Sequence, residues 1–145
     1  MEPTAKSVDE HLASLPDDVR ADMVSMDALI SEAMAGFDRV LWEGKFWGGS
    51  DQQIIGYGHL STTNSKGEAV NWFHVGLAAQ KNHLSVYVNV TENGKYLGAV
   101  YGDRLGKVKV GSASLGFKSV KDINVDIFTE MIERAAELAV VEEGQ

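Results

Sequence analysis

The chain has 145 residues, of which 44% are hydrophobic and 23% are charged, and it contains no cysteine. A chain of this length buries roughly two thirds of the surface that it exposes when unfolded, which is enough for one self-sufficient core. The lack of cysteine excludes a thiol nucleophile, a thiolate zinc site and a disulfide scaffold. We therefore expect one domain over residues 1–145, located in the cytoplasm.

The sequence argues against two classes of partner. No apolar run approaches the roughly 20 residues of a membrane helix, and the acidic N-terminus is unlike the basic start of a signal peptide. The formal net charge of −8 opposes general binding to nucleic acid, because the phosphates would be repelled. The partner is instead expected to be a small molecule or a protein.

Charge is distributed unevenly along the chain. Residues 1–43 hold ten acidic and three basic residues, and residues 122–145 hold seven acidic residues and one basic residue. Residues 44–121 between them hold four acidic and nine basic residues. If the ends are helices and the middle is a sheet, a basic sheet face would attract an anion despite the net charge. The alternative is that acidic side chains simply keep exposed helix faces soluble.

Helix signals occupy the first 36 residues. Ser7 and Glu10 form a capping box, which predicts a helix start. Pro16 interrupts this helix, but with two acidic residues after it Pro16 suits the first turn of a second helix. Apolar residues then recur every three or four positions to about residue 35, and Gly36 is a typical C-terminal cap.

From Arg39 the apolar period changes from helical to alternating, which predicts strands over 39–47, 53–62, 69–78, 83–90 and 107–118. Short turns such as Gly-Gly-Ser-Asp at 48–51 suit antiparallel neighbours. Residues 92–105 are predicted to hold a short helix, and a last helix is predicted after Asn124.

These elements predict an α+β fold. Helices at both ends of an alternating segment imply a two-layer sandwich with an antiparallel sheet of about five strands. The N- and C-terminal helices are expected to cover one face of the sheet, while the other face stays partly open. A function that uses the sheet is therefore expected on the open face.

Three segments carry a family resemblance: VDEHLASLP at 8–16, KNHLSVY at 81–87, and GKVKVG at 106–111 continuing through Phe117 and Lys118. In this order they resemble the YdhG-like family of bacterial domains of unknown function, over roughly residues 7–141. That family is similar to frataxin-type α/β sandwiches, and one branch has been treated as iron chaperones. The resemblance implies the same sandwich and an iron-binding or iron-chaperone role. The sequence WEGKFW at 42–47 departs from the aromatic-Gly-Met-Pro segment usual in the family.

The first candidate site is metal-binding and lies on the acidic surface of the N-terminal helical region, which carries Asp9, Glu10, Asp17, Asp18, Asp22 and Asp27. Asp18 and Asp22 are one turn apart, and their carboxylate oxygens suit ferrous iron or another hard cation. His11 would add a nitrogen ligand. The alternative is that acidic residues here only stabilise the positive end of a helix.

The second candidate site is the open sheet face. If Phe73, Val75 and Leu77 point into the core, alternation turns Trp72 and His74 outward, and on the next strand His83 and Tyr87. These four side chains are predicted to line a shallow groove for a planar or anionic small ligand, or for a protein partner. The alternative is that they are ordinary cross-strand aromatic pairs.

No established catalytic motif occurs in the sequence, so no catalytic residue is assigned. Two classes of function stay open: a binding protein for a metal, a small ligand or a partner, and a small enzyme with an unfamiliar site. An enzyme would require a titratable group with a perturbed pKa in a pocket, and His74 or His83 would be the place to look.

Overall fold

A computed structural model describes residues 1–45, 51–63 and 65–143. The helices are α1 (Val8–Ala13), α2 (Asp17–Ala33), α3 (Leu97–Tyr101) and α4 (Val125–Glu143), with 3₁₀ turns at Gly102–Arg104 and Val120–Asp122. Their ends follow the sequence signals. The Ser7 hydroxyl accepts a hydrogen bond from the backbone N–H of Glu10 at 3.2 Å, and Gly36 has a φ of +95°, a conformation that favours glycine after a helix.

The strands are β1 (Glu2–Pro3), β2 (Arg39–Lys45), β3 (Asp51–Tyr57), β4 (Leu60–Thr63), β5 (Ala69–Trp72), β6 (Val75–Ala79), β7 (Leu84–Val88), β8 (Thr91–Glu92), β9 (Lys95–Tyr96), β10 (Lys109–Val110) and β11 (Ser114–Phe117). Seven strands form one antiparallel sheet in the order β1-β2-β3-β6-β7-β11-β10. The pairs β4-β5 and β8-β9 are separate hairpins. The α+β class and the antiparallel sheet are thus confirmed.

The predicted number of about five sheet strands is wrong. The edge strand β1 has two residues, too few for an alternating pattern to show. The single strand predicted at 107–118 is instead a hairpin, in which β10 pairs antiparallel with β11. The predicted strand at 53–62 is broken at Gly58, and the one at 69–78 is broken at Phe73 and His74. The hairpin β4-β5 therefore leaves the sheet between these two breaks. Residues 46–50, which include the predicted end of one strand and most of its turn, lie outside the described residues.

The predicted helix at 92–105 is also shorter than expected. Residues 91–96 form the hairpin β8-β9, and only Leu97–Tyr101 are α-helical before a 3₁₀ turn. Asn93 and Gly94 both have positive φ values, as a tight hairpin turn requires.

The main core lies between one face of the sheet and the helices, and we call this face the helix face. Alternate residues of the central strands point toward α2 and α4, and the two helices contribute the apolar stripes expected from their period. Its fully buried members include Met23, Met26, Ile30, Leu77, Val86, Leu115, Phe128, Met131 and Ile132.

A charged network ties α1 and α2 to the sheet within this layer. Asp27 on α2 is 8% exposed and accepts hydrogen bonds from Tyr57 Oη at 2.6 Å and from Arg39 Nε and Nη2 at 3.0 and 2.7 Å. Arg39 Nη2 also donates to Asp9 Oδ1 at 3.0 Å. Because a buried carboxylate must be paired, this network fixes the position of α2 over β2 and β3.

The opposite side of the sheet, which we call the open face, carries a smaller apolar cluster. It consists of Trp42, Ile54, Phe73 and Ala78. A Cβ at Gly56 would come within 2.6 Å of Trp42 Nε1, so the indole packs directly on the backbone there. The cluster covers β2, β3 and β6, and Tyr87 on β7 packs against it. The β11 and β10 side of the open face lies outside the cluster.

Candidate ligand-binding site

Strand β7 and its flanking residues place a row of polar side chains on the open face. Ser85 and Tyr87 alternate with Leu84, Val86 and Val88, which belong to the main core. Ser85 is itself only 7% exposed, and Tyr87 is half-buried. The same period puts His83 before the strand and Asn89 after it on the open side. The cross-strand neighbours are small, since Ser85 lies opposite Gly116, and Tyr87 lies between Gly76 and Ser114. The rings of Phe73 and His83 lie over Gly76 and Gly116, respectively, so the small neighbours make room for aromatic side chains.

Three of the four predicted groove residues lie on the open face, but His74 does not. His74 is 0% exposed, with its ring edge-on to Phe37 at a centroid distance of 6.1 Å. A Cβ at Gly58 would come within 2.5 Å of His74 Nδ1. The expected outward orientation was wrong because the strand is interrupted at Phe73 and His74, and alternation does not continue across a break.

The same break reverses the orientation of the Phe73 side chain. It was expected in the main core, but it belongs to the open-face cluster. Its ring stacks on Trp72 at a centroid distance of 4.5 Å and an interplanar angle of 24°. Trp72 also meets Trp42 edge-on at 5.6 Å and is half-buried. Trp72 is therefore both part of this cluster and accessible from solvent.

A basic cleft of about 720 Å³ adjoins β7, β11 and β10. Its floor on the open face is made of Ser85, Gly116 and Ser114. The cationic side chains around it come from separate elements. The described residues that line it are His83, Ser85, Lys107, Lys109, Gly111, Ser114, Leu115, Gly116, Phe117, Lys118 and Asp122.

An aromatic cleft of about 460 Å³ lies farther along the open face, between the hairpin β4-β5 and the hairpin β8-β9. Trp72 forms one side and Tyr96, which is 39% exposed, forms another. The described residues that line it are Met1, Lys45, Leu60, Val70, Trp72, Asn89, Thr91 and Tyr96. The amide of Asn89 donates to the carbonyl of Phe73 at 2.9 Å, which fixes the segment that carries Trp72.

A third cleft, of about 690 Å³, contains His11 and Glu43 at the end of the sheet. Burial lowers the pKa of His11, and the charge of Glu43 opposes this shift. Lys6 and Gln53, each 2.7 Å from a Glu43 carboxylate oxygen, lower the pKa of Glu43. The sequence analysis considered His11 only as a metal ligand, whereas the structure places it in this polar cleft.

The two predicted metal ligands lie on the first turns of α2. Asp18 is exposed and lines a small cleft with His83 and Lys118, and Asp22 is half-buried. Among the described residues, no group of three or more His, Asp or Glu side chains is arranged to hold a metal ion. Iron binding at Asp18 and Asp22 stays a prediction that the arrangement of these residues does not test.

Sequence reasoning missed the lysines that converge on His83. It named no lysine among the candidate site residues, whereas Lys107, Lys109 and Lys118 line the basic cleft. Their proximity depends on the register of β10 with β11, in which Lys109 lies opposite Gly116. The excess of basic residues between 44 and 121 was the available signal, because it predicted a sheet face able to attract an anion.

Comparison of the chain with known protein families, with curated proteins and with solved structures gives no match. The resemblance to the YdhG-like family and the iron role that it implies therefore stay expectations from the sequence. Within the described part of the chain, no helix combines the length and the apolar character needed to cross a membrane.

Proposed function

We propose that the protein is a binding protein that holds a small ligand with phosphate or carboxylate groups in the basic cleft. The observation that carries the proposal is the composition of this cleft, in which three lysines and a histidine surround a floor of serine and glycine. Ammonium groups and hydroxyl donors are the side chains that recognise phosphate and carboxylate oxygens. Asp122 also lines the cleft, but the lysines outnumber it.

The floor of the cleft supports the proposal because it brings His83 and Lys109 to the same part of the open face. Ser85, Gly116 and Lys109 are successive cross-strand neighbours on β7, β11 and β10. Gly116 has no side chain, and this leaves room for the His83 ring, whose Cδ2 would lie 3.5 Å from a Cβ at that position. The cleft volume of about 720 Å³ falls within the range of roughly 300–1,000 Å³ for small-molecule sites.

The net charge of −8 does not oppose an anion at this position. Most acidic residues belong to the segments that form α1, α2 and α4, on the helix face of the sheet. At physiological ionic strength, charges farther apart than about 8 Å are largely screened in solvent. The lysines that line the cleft therefore dominate the field that a ligand meets there.

Calorimetric titration with pyrophosphate and with citrate tests the proposal and separates a phosphate ligand from a carboxylate ligand. We expect saturable binding of at least one of these anions at low ionic strength. Loss of one charge-assisted hydrogen bond costs about 1.5–3 kcal/mol. The double variant Lys109→Gln, Lys118→Gln should therefore bind at least about tenfold more weakly.

The matched control is the double variant Lys95→Gln, Lys121→Gln. It removes the same charge from lysines that do not line the cleft, and it should bind like the wild type. Absence of saturable binding to both anions would refute the proposal. Equal losses in the two double variants would also refute it, because the anion would then respond only to total charge.

A further inference from the structure

The aromatic cleft presents a flat ring surface whose position is fixed before any ligand binds. Trp72 stacks on Phe73 and meets Trp42 edge-on, and the Asn89 amide holds the Phe73 carbonyl at 2.9 Å. Aromatic side chains held in this way provide contact area at a small cost in conformational entropy. Trp72 and Tyr96 therefore suit a flat, uncharged ring.

The basic cleft and the aromatic cleft both border β7 or the residues that flank it. Ser85 lines the first and Asn89 lines the second, and a strand rises about 3.3 Å per residue, so these positions are about 13 Å apart. Tyr87 lies between them on the same face. Its cross-strand neighbours are Gly76, which the Phe73 ring covers, and Ser114. The lower path past Tyr87 therefore runs on the Ser114 side.

The two clefts differ in the chemistry that they offer. Three lysines surround the basic cleft, whereas Leu60, Val70, Trp72 and Tyr96 give the aromatic cleft a mainly apolar lining that includes one lysine, Lys45. Asn89 and Thr91 add polar groups at the aromatic end. A ligand that filled both clefts would carry its anionic group at one end and a ring with hydrogen-bonding groups at the other.

We infer that the ligand is a nucleoside diphosphate or a similar aromatic phosphate, with its ring against Trp72 and its phosphates between His83 and Lys109. This inference rests on the proposed function, because it uses the basic cleft for the phosphates. An extended nucleoside diphosphate has a length comparable with the separation of the two clefts. The planar base is the part of such a ligand that stacks on an aromatic side chain.

Calorimetry with adenosine diphosphate, pyrophosphate and adenosine tests the inference, since the last two probes are the separate halves of the first. We expect adenosine diphosphate to bind at least about tenfold more tightly than either half. The Trp72→Ala variant should lose roughly tenfold in affinity for adenosine diphosphate, the effect expected for loss of one base stack. Its affinity for pyrophosphate should stay unchanged.

Trp72 also packs in the open-face cluster, so thermal melts must accompany its replacement. Tyr96→Ala is the second variant, because Tyr96 is exposed on the other side of the cleft and its replacement should spare folding. It should weaken adenosine diphosphate binding and not pyrophosphate binding.

Two outcomes overturn the inference while leaving the proposed function in place. In the first, pyrophosphate binds and Lys109→Gln weakens it, but adenosine diphosphate binds no more tightly. In the second, adenosine diphosphate binds tightly but Trp72→Ala and Tyr96→Ala leave its affinity unchanged. If neither pyrophosphate nor adenosine diphosphate binds, the inference also fails.

Discussion

Replacing Tyr57 by phenylalanine removes one hydroxyl group from the buried network around Asp27. Tyr57 is 2% exposed and Asp27 is 8% exposed, and the Tyr57 Oη donates to Asp27 Oδ1 at 2.6 Å. A hydrogen bond to a charged group contributes about 1.5–3 kcal/mol. Because solvent cannot replace this donor, we expect Tyr57→Phe to lower the free energy of unfolding by about 1.5–3 kcal/mol.

Arg39 supplies the comparison that identifies the cause. Its guanidinium donates to both carboxylate oxygens of Asp27, so Arg39→Met leaves a buried carboxylate without its charge partner. Breaking a buried ion pair in this way costs about 3–5 kcal/mol. The double variant Asp27→Leu, Arg39→Met should cost less than Arg39→Met alone, since it removes the unpaired charge as well.

Urea denaturation of the wild type and of these three variants measures how much unfolding free energy each variant loses. A loss below about 0.5 kcal/mol for Tyr57→Phe, the size usual for surface substitutions, would refute the network as a stabilising element. So would a double variant less stable than Arg39→Met. The network lies on the helix face, away from the basic cleft, so any bound anion should bind these variants normally whenever they are folded.

The pH dependence of stability gives an independent test. Burial, together with the nearby charge of Asp27, raises the pKa of Tyr57 well above its ordinary value of 10.0. The folded state therefore keeps the phenolic proton at a pH where the unfolded state loses it. The contribution of Tyr57 is fully present below about pH 10 and is lost as the pH rises above that value. The stability difference between the wild type and Tyr57→Phe should shrink over that range.

Three further predictions concern separate elements. Gly58 has a φ of +79°, and a Cβ there would clash with the buried imidazole of His74. Gly58→Ala should therefore lower the free energy of unfolding, measured by urea denaturation, by about 1–3 kcal/mol. Arg134 lowers the pKa of Glu92, so this pair contributes stability above pH 4.5 that is lost as the pH falls below that value. The melting temperatures of Arg134→Met and of the wild type should therefore converge in acid. Asp18 and Asp22 are predicted to bind ferrous iron weakly, and an anaerobic titration unchanged in the Asp18→Asn, Asp22→Asn variant would exclude them.

The sequence predicts those parts of the fold whose signals are local. The Ser7 cap and the start of α4 after Asn124 both agree with the structure, since capping depends on a few neighbouring residues. The orientation of Tyr87 is also predicted correctly, because β7 alternates without interruption between Leu84 and Val88. Local periodicity is reliable when nothing breaks the strand.

The remaining features depend on contacts between distant residues. The burial of His74 follows from its packing on Phe37 and Gly58, which no alternation along one strand can show. Lys109 and Ser85 lie on either side of Gly116, and this placement depends on the register of three strands. The burial of Asp27 could have been predicted from its spacing, because Asp27 follows Met23 by one helical turn and so lies beside the apolar stripe of α2.

The narrow edges of the sheet have a consequence for how copies of the protein can meet. Edge strands expose unpaired backbone groups that recruit further strands, and proteins limit this with short edges, proline and lysine. Here β1 has two residues and includes Pro3, and β10 has two residues and includes Lys109. Neither edge offers a template on which a fibril could grow. A replacement of Lys109 by valine would thus remove a charge from the proposed anion site and, at the same time, a residue that opposes strand addition.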